Sequence, residues 1–152
     1  MTPIRILVDA DACPVKDEIY KVAWRRGVPV KVVSNARIRL PEHPLIERVL
    51  VSDAFDAADD WIAEQADARA VVITGDILLA DRCLKKGASV IGPNGKPFTT
   101  ASIGSAIATR AIMADLRVAA DGITGGPPPF VKADRSRFLQ ALDEALARQA
   151  GR

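Results

Sequence analysis

The segment Ile4–Asp11 (IRILVDAD) limits the possible folds of this chain more than any other. An apolar run rich in β-branched residues ends abruptly in Asp9 and Asp11. A strand that is apolar on both faces is typical of a parallel sheet covered by helices on both sides. In such sheets, binding sites lie beyond the carboxyl ends of the strands. Asp9 is predicted to belong to such a site rather than to cap a helix, because a second carboxylate follows two residues later.

The rest of the chain alternates between strand and helix patterns. Strands are predicted at 4–9, 28–33, 48–51, 69–73 and 88–91, and helices at 14–26, 54–67 and 77–86. A long helix capped by Thr99, Thr100 or Ser102 is predicted to run to about residue 118, and a last helix is predicted to be capped by Asp134. Segments 92–97 and 121–133 are rich in Gly and Pro and are interpreted as turn and irregular structure. The sequence therefore predicts a single domain over 1–152 of the α/β class. Its expected architecture is three-layer, a mostly parallel five-stranded sheet with helices on both faces.

The composition limits which partners and which catalytic groups are expected for this chain. A net charge of +2 does not by itself indicate nucleic acid, and no apolar run approaches the ~20 residues of a membrane span. The chain has no export signal, and Cys13 and Cys83 provide neither a disulfide framework nor zinc spacing, so we expect a cytoplasmic protein with reduced thiols. His43 is the single histidine and lies in a predicted loop. Any catalysis is therefore expected to use carboxylates.

The predicted helix 54–67 places one carboxylate on its apolar face. At about 100° per residue, Phe55, Ile62 and Ala66 form a stripe that includes Asp59, whereas Asp60 turns toward solvent. A carboxylate on an apolar face is unfavourable unless a partner compensates its charge. A metal ion at the sheet edge and a nearby arginine or backbone donor are both open as that partner.

Five acids are predicted to gather at one edge of the sheet. If the first and fourth strands are neighbours, Asp9, Asp11 and Asp76 meet there, and Asp59 and Asp81 approach from their helices. Clustered carboxylates repel one another, and a divalent cation relieves that repulsion. Oxygen ligands without histidine or thiolate favour Mg²⁺ or Mn²⁺, which can promote phosphoryl displacement. The residues predicted to contact substrate phosphate are Lys16, Ser34, Asn35 and Arg37.

Four segments combine into a specific pattern: Val8–Lys16 (VDADACPVK), Asp56–Ile62 (DAADDWI), Thr74–Ala80 (TGDILLA) and Thr124–Pro127 (TGGP). They closely resemble the bacterial YaiI/YqxD family (UPF0178, DUF188), and the resemblance covers nearly the whole chain. That family is functionally uncharacterised. It is similar to the PIN-like fold group, whose better-known members are metal-dependent ribonucleases and structure-specific 5′-nucleases.

The resemblance implies roles for particular acids. Asp9 and Asp76 match the acids that end the first and fourth strands, Asp59 matches the helical acid, and Asp81 matches the acid that follows. Asp11 is an additional ligand candidate without a fixed counterpart. The resemblance thus implies a PIN-like domain with an acidic site, and the expected function is Mg²⁺- or Mn²⁺-dependent phosphodiester hydrolysis of nucleic acid, RNA ahead of DNA.

Two alternatives remain open. In a haloacid-dehalogenase-like phosphatase, Asp9 would be the nucleophile and Asp11 the general acid. That chemistry requires a lysine before the last acidic motif, and no lysine occurs between Asn35 and Asp76. In a catalytically silent RNA-binding or regulatory module, basic residues would contact phosphate. The candidates, which are scattered along the sequence without an aromatic platform, are Arg37, Arg39, Lys96 and Arg137.

Overall fold

Six strands form one sheet in the computed structural model, which describes residues 3–11, 13–54, 56–119 and 130–150, with backbone only for 113–119. The elements are β1 Arg5–Asp9, α1 Lys16–Arg26, β2 Val30–Ser34, β3 Ile46–Leu50, α2 Ala57–Gln65, β4 Ala70–Ile73, α3 Ile77–Lys85, β5 Ser89–Ile91, β6 Pro97–Phe98, α4 Thr100–Ala119 and α5 Lys132–Ala150. The strand order is β3-β2-β1-β4-β5-β6, and only the β5–β6 pairing is antiparallel. The predicted α/β class is confirmed, and the arrangement is consistent with a three-layer PIN-like fold.

The predicted count of five strands is wrong, because β6 adds a sixth. Gly92 donates its N–H to the carbonyl oxygen of Lys96 at 2.9 Å, and Gly95 adopts φ +85°, so the chain reverses sharply after β5. A side chain at position 95 would place Cβ 2.6 Å from backbone atoms of Arg137 and Phe138, so glycine is also needed for close packing of α5. The two residues of β6 are too few to show a strand pattern in the sequence.

The first and fourth strands are neighbours, which is the condition under which the acidic residues were expected to meet. β1 lies between β2 and β4, with Val8 opposite both Val32 and Ile73. Asp9 therefore ends a central strand at the same level as the residue that follows β4. This pairing brings the β1 and β4 ends together, as the acidic cluster requires.

Helices cover both faces of the sheet and divide the core in two. Ile6 and Val8 pack with α1 and α5, whereas Leu7 faces the opposite core, which α2, α3 and α4 complete. Because side chains alternate along a strand, Asp9 shares the face of Leu7. The carboxylate of Asp9 is therefore directed to the side on which α2 and α3 lie.

Some helix boundaries differ from the predicted ones. The second helix begins later than the predicted residue 54: Ser52 Oγ accepts from the N–H of Ala54 at 3.3 Å, and α2 begins at Ala57 after Asp56, which has φ 65°. The last helix begins at Lys132, so Asp134 is not the residue before the helix; it lies in the first turn, where its Oδ2 accepts from the N–H of Val131 at 3.0 Å. Phe55 and residues 121–129, which include Thr124–Pro127, fall outside the described residues, whereas residues 132 and 133 of the segment predicted as irregular belong to the last helix.

One large aromatic residue of α1 remains outside the core. Ile19, Val22 and Ala23 are buried, but Trp24 remains 45% exposed. Its ring stacks with those of Tyr20 and His43, at centroid distances of 6.5 and 5.3 Å. Within the part of the chain that the structure describes, no helix combines the length and apolar character needed to cross a bilayer.

Candidate active site

Hydrogen bonds connect the ends of β1 and β4. Thr74 Oγ1 donates to Asp9 Oδ2 at 2.9 Å and accepts from the N–H of Asp76 at 3.0 Å. Asp76 caps α3, since its Oδ1 accepts from the N–H groups of Leu78 and Leu79 at 2.9 and 3.1 Å. These bonds fix both carboxylates at the edge of the sheet. Among the described residues, Oδ2 of Asp76 has no hydrogen-bond partner in the protein.

The first residues of α2 bring Asp59 to the same edge. Ile62 and Ala66 are buried, as the predicted stripe requires, and Asp59 is partly buried beside them. Asp60 is exposed and its carboxylate pairs with Arg82 at 2.9 Å. The predicted phase of this helix, with Asp59 directed inward and Asp60 outward, is confirmed.

These residues line one cleft of about 830 Å³ at the carboxyl ends of the strands. Five carboxylates line it: Asp9, Asp11, Asp56, Asp59 and Asp76. Asn35, Arg82 and Arg110 are among the other lining residues. We call this the acidic cleft. Arg82 is already paired with Asp60, whereas no hydrogen bond or ion pair to Arg110 is found among the described residues.

The carboxylates of the acidic cleft are crowded enough to perturb one another. Burial raises the pKa of Asp9; the hydrogen bond from Thr74 opposes this effect, and the charges of Asp11 and Asp76 add to it. Burial, followed by the charges of Asp76 and Asp9, raises the pKa of Asp59 to about 6. Among the described lining residues, five carboxylates stand against two arginines, so the cleft carries an excess of negative charge.

The structure places several predicted site residues elsewhere. Ser34 alternates with Val33, so its side chain is buried on the other face of the sheet. There its Oγ donates to the carbonyl oxygen of Ala36 and accepts from the N–H of Ala36. Asp81 pairs with Lys85 at 3.0 Å and does not line the acidic cleft. Its role as a ligand stays a prediction that its position does not support.

Two of the predicted phosphate contacts also lie apart from the carboxylates. Lys16 begins α1 on the opposite side of the sheet, where its Nζ donates to the carbonyl oxygen of Cys13 at 2.9 Å. Arg37 is exposed and is not a lining residue of the acidic cleft. Of the four residues predicted to contact phosphate, only Asn35 lines this cleft.

Sequence reasoning missed Asp56, Arg82 and Arg110 as lining residues. Asp56 was placed inside a helix that in fact starts after it, and no local signal marked its positive φ. Arg110 reaches the cleft only because α4 packs against α3. That packing depends on tertiary structure, which the periodicity of a single helix does not reveal.

The donor set suits a hard divalent cation. The lining residues offer carboxylate and amide oxygens without histidine or cysteine, which is the chemistry that Mg²⁺ and Mn²⁺ prefer. Within the described ranges, no group of three His, Cys, Asp or Glu side chains is already placed to hold one ion. The residues thus fit such an ion by donor type and charge rather than by a ready-formed coordination shell.

Comparison with known proteins identifies a family over almost the full chain. The profile described as "Uncharacterized BCR, YaiI/YqxD family" matches residues 7–148. A UPF0178 protein of Sphingopyxis alaskensis is 76% identical over 94% of this chain and 93% of its own length. One from Nitrobacter winogradskyi is 61% identical over 97% of this chain and 94% of its own length. No solved structure gives a significant match.

Proposed function

We propose a function from the premise that this chain belongs to the functionally uncharacterised YaiI/YqxD (UPF0178) family. Its acidic cleft hydrolyses phosphodiester bonds in nucleic acid with Mg²⁺ or Mn²⁺. One observation carries the proposal: five carboxylates converge on a cleft that also contains an arginine without a partner among the described residues. Carboxylates suit a divalent cation, and an arginine suits the phosphate of a substrate. The preference for RNA over DNA rests on the resemblance to PIN-like ribonucleases.

Three carboxylates would hold the ion once their side chains turn toward one another: Asp9, Asp59 and Asp76. When bound, it would stabilise charge on the phosphate and make a bound water more acidic. Thr74 orients Asp9, and the cap on α3 fixes Asp76 with one oxygen toward the helix. Arg110 is the residue that we expect to bind a non-bridging phosphate oxygen, since a guanidinium donates charge-assisted hydrogen bonds to phosphate.

The direct test is Mn²⁺-dependent cleavage of labelled RNA and DNA oligomers, with a generic phosphomonoester assayed beside them. We expect RNA cleavage by the wild-type protein, less cleavage of DNA and little release of phosphate from the monoester. Asp9→Asn with Asp76→Asn should abolish cleavage, whereas Asp60→Asn, on the exposed side of α2, should retain it. Phosphomonoester hydrolysis without oligomer cleavage would refute the proposal.

The two alternatives make different predictions. A haloacid-dehalogenase-like phosphatase would form a phosphoryl group on Asp9, which beryllium fluoride or rapid quench would trap. We expect no such species, and among the described lining residues of the acidic cleft there is no lysine to steady it. A catalytically silent RNA-binding module would bind RNA without Mn²⁺ affinity and without cleavage.

We also propose a cytoplasmic location. Cys13 and Cys83 are free and buried, which suits a compartment in which thiols stay reduced. Fractionation of the native host cells would test this: recovery in the membrane or exported fraction would contradict it.

A further inference from the structure

A second groove lies on the opposite side of the β1–α1 connection from the acidic cleft. It has a volume of about 780 Å³, and its lining residues include Lys16, Lys21, Trp24 and Arg39. We call it the Trp24 groove. Arg39 was one of several basic residues that looked isolated in the sequence, but the fold places it in the same groove as an exposed indole.

The charge of the Trp24 groove is positive. Asp17 and Glu18 are its acidic lining residues, and Glu18 is already paired with Arg135 through Oε1 at 3.0 Å. Lys16, Lys21 and Arg39 therefore leave an excess of cations around the exposed indole. An aromatic ring surrounded by cations is the combination that binds single-stranded nucleic acid, through stacked bases and neutralised phosphates.

The Trp24 groove and the acidic cleft adjoin through two connections. Asp11 lines the cleft and Cys13 lines the groove, and two residues of chain span at most about 7 Å. After β2, Asn35 lines the cleft and Arg39 lines the groove. The two sites are therefore close to each other along the chain after β1 and after β2, and we infer that one extended strand of several nucleotides is long enough to contact both.

We propose that the Trp24 groove is a binding subsite for single-stranded nucleic acid, in which a base stacks on the part of the Trp24 ring that Tyr20 and His43 leave exposed, while Lys16, Lys21 and Arg39 contact the phosphates. The inference rests on the proposed function in one respect: the strand held here is the one whose phosphodiester reaches the acidic cleft. Binding itself does not require cleavage. The two claims can therefore fail separately.

The experiment measures binding of a fluorescein-labelled oligo(A) RNA to the full chain in EDTA, by fluorescence anisotropy over a series of salt concentrations. Trp24→Leu should weaken binding by about fivefold to a hundredfold, the usual effect of removing one stacking platform. The salt dependence of RNA binding should be the same in Trp24→Leu as in the wild type. Trp24→Phe keeps an aromatic face and should restore much of the affinity.

Removing cations from the Trp24 groove should instead change the salt dependence of binding. Lys21→Ala with Arg39→Ala should lower the slope of log affinity against log salt by roughly 1.4, about 0.7 for each phosphate of a single strand that is no longer neutralised. Lys85→Ala with Arg148→Ala removes equal charge outside the groove and should leave the slope nearly unchanged. Melting curves of all variants establish that each is folded.

The results separate the two claims. Unchanged affinity in Trp24→Leu, equal slopes for the two double variants, or no binding of oligo(A) by the wild type would overturn the subsite. Binding of an acidic peptide in place of RNA would overturn it as well. If the subsite variants lose binding but wild type with Mn²⁺ cleaves nothing, the subsite stands and the nuclease proposal fails. If the subsite variants cleave RNA as fast as the wild type does, the nuclease proposal stands and the subsite fails.

Discussion

Thr74 connects the two central acids of the site: its Oγ1 donates to Asp9 Oδ2 at 2.9 Å, and the same oxygen accepts from the N–H of Asp76 at 3.0 Å. Thr74 is only 1% exposed, so both bonds are sheltered from water. A single buried hydroxyl thus orients a carboxylate at the end of β1 and fixes the backbone at the start of α3.

Replacing Thr74 by valine should therefore affect both stability and the site. Thr74→Val keeps the shape but leaves the Asp9 carboxylate and the Asp76 N–H without this partner, and we expect a loss of about 1–3 kcal/mol in the free energy of unfolding. The pKa of Asp9 should rise further, because the hydrogen bond from Thr74 lowers it. Chemical denaturation measures the first effect. Thr74→Ser retains the hydroxyl, and an equal loss there would show that the hydrogen bonds are not the cause.

A pair of neighbouring aspartates on α2 tests the orientation of that helix. Asp59→Asn should weaken Mn²⁺ binding by at least about tenfold, because Asp59 lines the acidic cleft, and should not destabilise the metal-free protein. Asp60→Asn loses an exposed ion pair with Arg82 and should change Mn²⁺ affinity little. Calorimetric titration with Mn²⁺ compares them. Loss of affinity in Asp60→Asn alone would place the site on the other face of α2.

Asp59 also predicts a pH dependence of stability in EDTA. Its pKa in the folded protein is about 6, above the ordinary value of 3.8, so the folded state binds a proton that the unfolded chain does not between these values. This contribution favours folding at low pH and is lost as pH rises through about 6. The Tm of Asp59→Asn should therefore exceed that of wild type by on the order of a few degrees at about pH 7.5, and by less near pH 4. A constant difference across this range would rule out the raised pKa.

Replacing Arg110, which lies on α4, should change the kinetics of cleavage. Arg110→Ala should lower kcat/KM for oligomer cleavage by about tenfold to a hundredfold, which corresponds to a charge-assisted hydrogen bond of about 1.5–3 kcal/mol. Arg82→Ala should have a smaller effect, because that guanidinium already pairs with Asp60. Arg148→Ala, which removes equal charge from α5, serves as the control. Equal losses in all three variants would indicate general electrostatic attraction instead of a specific phosphate contact.

The sequence predicts the part of the site that depends on local pattern. The apolar run of β1 and the strand-helix alternation correctly predicted a mostly parallel sheet, in which β1 lies beside β4 as the acidic cluster requires, and the period of α2 correctly separated Asp59 from Asp60. Pattern alone did not show that Ser34 alternates to the other face, since the strand was predicted to end at residue 33, one residue before it does.

Residues that depend on tertiary packing were not predictable in this way. Arg110 joins the site because α4 packs on α3, and Trp24 joins Arg39 because the chain after β2 returns to α1. Asp81 has a lysine four residues later, and the helix lets them pair at 3.0 Å. That spacing was visible in the sequence and would have been a reason to give Asp81 less weight as a ligand.

The central claim, that the acidic cleft binds a divalent cation, is tested most directly by the thermal melting of wild type and of Asp9→Asn with Asp76→Asn across a Mn²⁺ titration. Asparagine can still cap α3 and preserves the volume of both side chains, so the double variant should fold. We predict that Mn²⁺ raises the Tm of the wild type in a concentration-dependent manner, because binding to the folded state stabilises it, and leaves the double variant unchanged. An unchanged wild-type melting curve at millimolar Mn²⁺, or an equal rise in both proteins, would contradict the claim.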